Sequence, residues 1–164
     1  GLTELFFETS EPPNSLVPIP GTLAHLPAGT YTFRGVMVGG GISGMTATLS
    51  HDIPAGPRLL TPAAGAMDVD PDHTVVSWQP VATDLEGDPI TIVGYQVIVE
   101  EDLDKPLFPD TFAQPVFSVY VPAGVTQVSV PAEFMRGGTT YSYEVLAIER
   151  SGNQTLSSAE FATR

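Results

Sequence analysis

Residues Phe134–Ile148 read FMRGGTTYSYEVLAI. Two glycines, Gly137 and Gly138, precede a run in which side chains alternate. Tyr141, Tyr143, Val145 and Ala147 fall on one side, and Ser142, Glu144, Leu146 and Ile148 on the other. A period of two is the signature of a β-strand. A Tyr at the head of such a strand, just after a Gly-rich turn, points to a tyrosine corner, in which the hydroxyl bonds back to upstream backbone at the edge of a β-sandwich.

Outward from this strand the rest of the second part of the chain reads as β-structure. PRLLTP (57–62) is a first edge strand, AAGAMDVDPD (63–72) a turn-rich acidic loop, and HTVVSWQP (73–80) a strand carrying the only tryptophan, Trp78. TDLEGDP (83–89) is a second acidic loop. ITIVGYQVIVEE (90–101) is the longest strand. A proline-bounded excursion (104–115) leads to FSVYV (117–121), then TQVSVP (126–131), the Tyr141 strand, a turn at 151–154 and a last strand at 155–163. Sixteen Gly and sixteen Pro, spread without a repeat, fit turns between many short strands. These segments make seven strands.

Residues 57–163 resemble a fibronectin type III domain. The resemblance rests on the opening Pro57-Arg58-Leu59-Leu60, on Trp78 in the second strand, on Tyr95-Gln96-Val97 in the third, and on Met135-Arg136-Gly137-Gly138-Thr139-Thr140-Tyr141. The family pattern at the last is Leu-x-Pro-Gly-x-x-Tyr; this chain has Met for Leu and Gly for Pro. The resemblance implies an all-β fold, a seven-stranded sandwich over 57–164, and the strand order of that fold. It does not by itself imply a function.

The first 52 residues repeat a piece of the theme. LTELFFE (2–8) reads as a short strand, 10–20 as a proline-rich connection and 22–27 as one turn of helix. Two alternating runs around Gly39, Gly40 and Gly41 make a β-hairpin. Thr30-Tyr31-Thr32-Phe33 echoes Thr140-Tyr141-Ser142-Tyr143. This part resembles the last two strands of an immunoglobulin-like sandwich without its front half. Residues 53–56 are expected as the linker. So short a fragment buries too little surface to stand alone. The hairpin must therefore pack on the sandwich, on another chain, or on a segment not present here, and the start at Gly1 reads as that of a processed or truncated product.

Composition narrows the functional classes. The 164 residues carry a formal net charge of −13 and a single lysine, Lys105. Nucleic acid and anionic membrane surfaces both require a basic footprint and are not expected partners. No apolar run is long enough to cross a bilayer as a helix. There is no cysteine, so no disulfide holds the fold; secretion is compatible with that.

Chemistry-bearing motifs are absent. His25, His51 and His73 stand apart with no zinc spacing. No GxSxG or cysteine nucleophile occurs, and no enzyme activity is expected. Gly39–Gly44 lacks a P-loop lysine. Asp84, Glu86 and Asp88 offer three carboxylates on one loop and are the candidate ligands for calcium, which takes six to eight oxygens. Asp68, Asp70 and Asp72 form a second cluster, placed by the type III arrangement at the other end of strand two. No other cofactor is expected. Asn153-Gln154-Thr155 is a glycosylation sequon at Asn153.

The type III arrangement makes the Tyr95 and Tyr141 strands neighbours. If their tyrosines face inward, Ile98, Leu146 and Ile148 share the outer face as an aliphatic strip. That strip is expected to be an interface, covered by the hairpin through Met45, Ala47 and Leu49 or by another subunit. Leu5, Phe6 and Phe7 on the free N-terminal strand are further interface candidates. The expected function is a non-enzymatic extracellular or cell-surface structural or adhesive module. In its sharper form the chain is a subunit of a surface assembly or filament, with a protein partner, self-association included, joined by strand addition. The alternative is a ligand-binding accessory module of a secreted protein, for carbohydrate or protein, using Phe108, Phe112, Phe117 and Tyr120.

Overall fold

In a computed structural model, residues 14–102 and 115–164 are described. The chain divides into two compact units, Gly1–His51 and Asp52–Arg164.

The first unit holds a seven-residue helix α1 (Ile19–His25) and the hairpin β1 (Gly29–Val36) and β2 (Ile42–Leu49). The helix starts three residues before the expected turn because Pro20 stands in its first turn, where its missing N–H costs nothing. Strands β1 and β2 pair antiparallel from Gly29 opposite Leu49 to Val36 opposite Ile42. Their turn is closed by Met37 N–H to Gly41 O (2.8 Å), with Gly39 and Gly40 at φ 104° and 92°, a region glycine enters without strain. Tyr31, Phe33, Ala47 and Met45 share one face of the pair, and Thr30, Thr32, Thr46 and Thr48 the other. The Tyr31 hydroxyl donates to Pro27 O at 2.7 Å, a bond back to backbone four residues upstream.

The second unit is a two-sheet sandwich. Its strands are β3 (Arg58–Thr61), β4 (Ala66–Val69), β5 (Val75–Gln79), β6 (Ile92–Glu101), β7 (Val116–Pro122), β8 (Gln127–Ser129), β9 (Thr140–Glu149) and β10 (Gln154–Thr163). One sheet has the order β4-β10-β9-β6-β7, the other β3-β5-β8. All seven expected strands are present. The eighth, β4, lies in the segment expected as a loop and pairs parallel with the end of β10. The first edge strand is thus split between the sheets. Residues 53–56, expected as a linker, are bonded into the sandwich: Ala55 N–H reaches Thr83 O at 2.9 Å, Leu85 N–H reaches Ile53 O at 3.0 Å, and Pro54 is buried.

The inward sets are those that the alternation dictates. Tyr95, Val97, Val99, Tyr141, Tyr143, Val145 and Ala147 are buried, with Val76, Trp78, Val130 and Phe161 from the other strands. Burying such side chains contributes about 1.5–3 kcal/mol each before the entropy of ordering is subtracted. Trp78 meets Tyr95 with ring centroids 5.2 Å apart, and Phe161 lies between Tyr141 (5.6 Å) and Tyr143 (5.8 Å).

The corner of β9 is closed as its sequence implies. Arg136 N–H donates to the Tyr141 hydroxyl at 2.8 Å. Met135, standing where the family has Leu, is in the core. Gly137, standing where it has Pro, approaches Arg164 O so closely that a Cβ there would lie 2.8 Å from it. Gly138 takes a φ of 67°. Thr163 completes the corner: its hydroxyl donates to Arg136 O (2.6 Å) and accepts from Thr139 N–H (3.0 Å). The Tyr143 hydroxyl donates to Pro62 O. Burial pushes the pKa of both phenols up, which keeps them neutral.

A buried carboxylate organises the β9–β10 turn. Glu149 is 6% exposed and accepts from Ser151 N–H (2.7 Å) and the Ser151 hydroxyl (2.5 Å). Burial would raise its pKa. The bonds from Ser151, the Arg150 N–H and the Arg150 charge outweigh burial and hold it below the ordinary value.

Two outcomes follow for stability. Tyr141→Phe leaves the Arg136 N–H without its acceptor and is expected to cost about 1–2 kcal/mol in urea unfolding; an unchanged midpoint would remove the corner from the list of what holds the sandwich. A depressed carboxyl pKa contributes stability that is complete above its unfolded value, about 4.3 for Glu, and lost as pH falls through the folded value. Glu149→Gln is therefore expected to lower stability at neutral pH and to flatten its loss in acid, read from melting temperatures across that range.

Candidate interaction surfaces

The outer face of the five-stranded sheet is set by register. Ile98 is opposite Glu144, Gln96 opposite Leu146, and Gly94 opposite Ile148. On the β10 side Leu146 is opposite Leu156. On the β7 side Gln96 is opposite Tyr120, and Gly94 opposite Pro122. Ile98, Leu146 and Ile148 do share the outer face, each half-buried. Ile98 is the diagonal neighbour of Leu146, with Gln96 and Glu144 on the other diagonal, and Leu146 and Ile148 follow each other on the outer side of β9. Alternation alone shows which face a residue takes, whereas neighbours across strands depend on register.

The same registers set Leu156 beside Leu146 and Tyr120 beside Gln96, and Val93 lies at the shift of register in β6. Leu156 is 51% exposed, Tyr120 67% and Val93 50%. A shallow apolar groove of about 420 Å³ is lined by Val93, Gly94, Tyr120, Pro122 and Ile148 among others. Its floor requires Gly94, since a Cβ there would lie 2.9 Å from Val121 O.

Of the four aromatics considered for ligand stacking, Phe108 and Phe112 lie outside the described residues. Phe117 turns inward against Phe134, at 6.1 Å. Tyr120 alone of the described pair is open. Leu5, Phe6 and Phe7 also lie outside the described residues.

The two acidic loops remain apart in role. The Asp84 carboxylate accepts from Glu86 N–H (2.9 Å) and Asp88 N–H (2.8 Å), so it caps its own turn. Asp70 accepts from Asp72 N–H (3.1 Å), pairs with Arg164 (2.5 Å) and lies 3.4 Å from His73 Nδ1. The Asp72 N–H, then Arg164 and His73, hold its pKa below the ordinary carboxylate value against partial desolvation. Among the described residues no group of three His, Asp or Glu is gathered so that it could hold a metal ion. That holds for Asp84, Glu86 and Asp88 as they stand.

His25 Nδ1 lies 2.8 Å from Gly21 O and His51 Nε2 2.8 Å from Leu26 O; both serve local backbone. The Asn153 amide donates to Asp52 O at 3.3 Å. No helix among the described residues is long and apolar enough to cross a membrane.

No protein-family model and no curated protein matches the chain. Among solved structures it is similar to the fn3 domain of human collagen alpha-1(XX) chain, at 21% identity over 70% of this chain and 90% of that one, TM-score 0.41. It is similar to the third fibronectin III domain of human KIAA0343 protein, at 15% identity over 70% and 86%, TM-score 0.45. It is similar as well to chicken CNTN1 domains FN1–FN3, at 18% identity over 82% of this chain and 44% of that one, TM-score 0.40. With its two-sheet strand order, closed tyrosine corner and Trp78 core, the second unit is a fibronectin type III-like sandwich.

Proposed function

We propose that this chain is a non-enzymatic structural or adhesive module of the extracellular space, and that its N-terminal hairpin is completed by strands of a neighbouring subunit. One observation carries the reading. The hairpin β1–β2 and the hairpin β9–β10 share a tyrosine whose hydroxyl bonds to backbone four or five residues upstream. In the second hairpin the residues beyond that tyrosine are sealed, with Tyr143 and Val145 fully buried. In the first, Phe33 is 38% exposed and Met45 67%. Val36 and Ile42 at the turn end are more exposed still.

A lone two-stranded hairpin is marginal in water. Its apolar face gains most from a facing sheet, and its free strand edges from a further strand. A neighbouring subunit supplies both in one contact. The acidic charge is consistent with an extracellular setting and keeps the surface outside such a contact soluble.

Light scattering on the full chain, with electron microscopy of the same sample, tests this. The chain is expected to form assemblies larger than those of the Phe33→Ser, Met45→Glu double variant. Equal mass for the two would remove the hairpin as an assembly device.

A further inference from the structure

The outer face of the five-stranded sheet has an apolar end and an acidic end. At the apolar end Leu146 pairs with Leu156, Ile148 follows Leu146 on β9, and the groove of Gly94 and Tyr120 adjoins Ile148. At the other end Glu144 stands on β9, and Glu100 and Glu160 flank Ser142 from β6 and β10. Each of the three carboxylates alternates with a buried neighbour, so each takes the outer face.

A partner rich in carboxylates is repelled at the acidic end. Residues 52–164 hold all but three of the chain's 19 carboxylate side chains, so a second sandwich is such a partner. The hairpin is not. Residues 12–51 hold no Asp or Glu, and Arg34 is the one Lys or Arg among them. On one face of the hairpin Tyr31 pairs with Ala47 and Phe33 with Met45. The apolar end of the sheet fits apolar side chains, and the acidic end an approach free of negative charge. Among the described residues the hairpin offers both.

We propose that the outer face of β6, β9 and β10 is the receptor for the β1–β2 hairpin of a second copy. This deepens the function proposed above and rests on it: there the hairpin makes the contact between subunits, and here the surface it meets is named. Phe33 and Met45 of one copy cover Leu146, Ile148 and Leu156 of the next. The absence of carboxylates around them, with Arg34 nearby, brings the contact up to Glu144 without repulsion. The two surfaces differ, so the contact is heterologous. Every copy carries one hairpin and one receptor, and the series continues as a ring or a filament rather than stopping at a pair.

Mixing two defective full-length chains tests this. The first carries Phe33→Ser and Met45→Glu and keeps its receptor. The second carries Leu156→Glu, or Leu146→Asn in a separate version, and keeps its hairpin. Near-ultraviolet circular dichroism of the Trp78 core selects the receptor version that is folded. Each chain alone is expected to associate about tenfold or more weakly than the wild type. Mixed in equal amounts, they are expected to sediment as a one-to-one dimer, in which the intact hairpin of the second sits on the intact receptor of the first. A receptor variant that assembles like the wild type, as a hairpin-to-hairpin contact would allow, overturns the receptor. So does a mixture that stays monomeric. Either result leaves the hairpin reading standing as long as the wild-type chain outweighs the hairpin variant; equal mass for those two removes both.

Discussion

The Tyr141 hydroxyl can meet the Arg136 N–H only if the chain reverses between them, and that reversal determines which way β9 presents its side chains. With the hydroxyl held at 2.8 Å, Tyr143, Val145 and Ala147 follow into the core at alternate positions. Thr163, at the end of β10, ties both flanks of the same turn through one hydroxyl. The last strand is thereby fixed against β9 at the end where β4 joins it. The order of the five-stranded sheet builds outward from this corner.

Strand identity was legible in the sequence because period two is a local property. The inward residues of β6 and β9 are those that alternation names. Strand β4 was not legible, because its pairing is parallel and joins residues as far apart as Ala66 and Phe161, while Gly65 and the aspartates that follow it give the segment the look of a turn. The segment 53–56 reads as a linker from its Pro and Gly, yet backbone bonding to the Asp84 turn makes it part of the sandwich. Glu149 gave no signal either. A glutamate beside a turn usually faces water, and only the closeness of Ser151 shows why this one is buried. On the outer face, alternation placed Ile98, Leu146 and Ile148 correctly but could not show that Gln96 and Glu144 fill the positions directly opposite Leu146 and Ile98.

Acidic charge and stability bear on each other. A chain at −13 resists association wherever its carboxylates are dense. Several of those carboxylates have local work: Asp84 closes a turn, Asp70 holds Arg164, and Glu149 caps the last hairpin. They stabilise the sandwich and charge its surface at once. Residues 12–51 carry no carboxylate side chain, so the hairpin contributes nothing to that repulsion.

The two hairpins give the comparison that bears most on function. Each is antiparallel, follows a Gly-containing turn, and opens near a tyrosine bonded to its own upstream backbone. The corner bond is local, so it forms whether or not a second sheet is present. Burial is not local: Tyr143 loses all its exposure because residues far away in sequence pack on it, while Phe33 and Met45 keep theirs. A sequence that preserves the local half of this device, with aromatic and aliphatic residues on the face a sandwich would seal, is suited to a covering sheet. Selection for solubility of an isolated hairpin would instead favour polar residues at Phe33 and Met45, as it has at the four threonines on the opposite face.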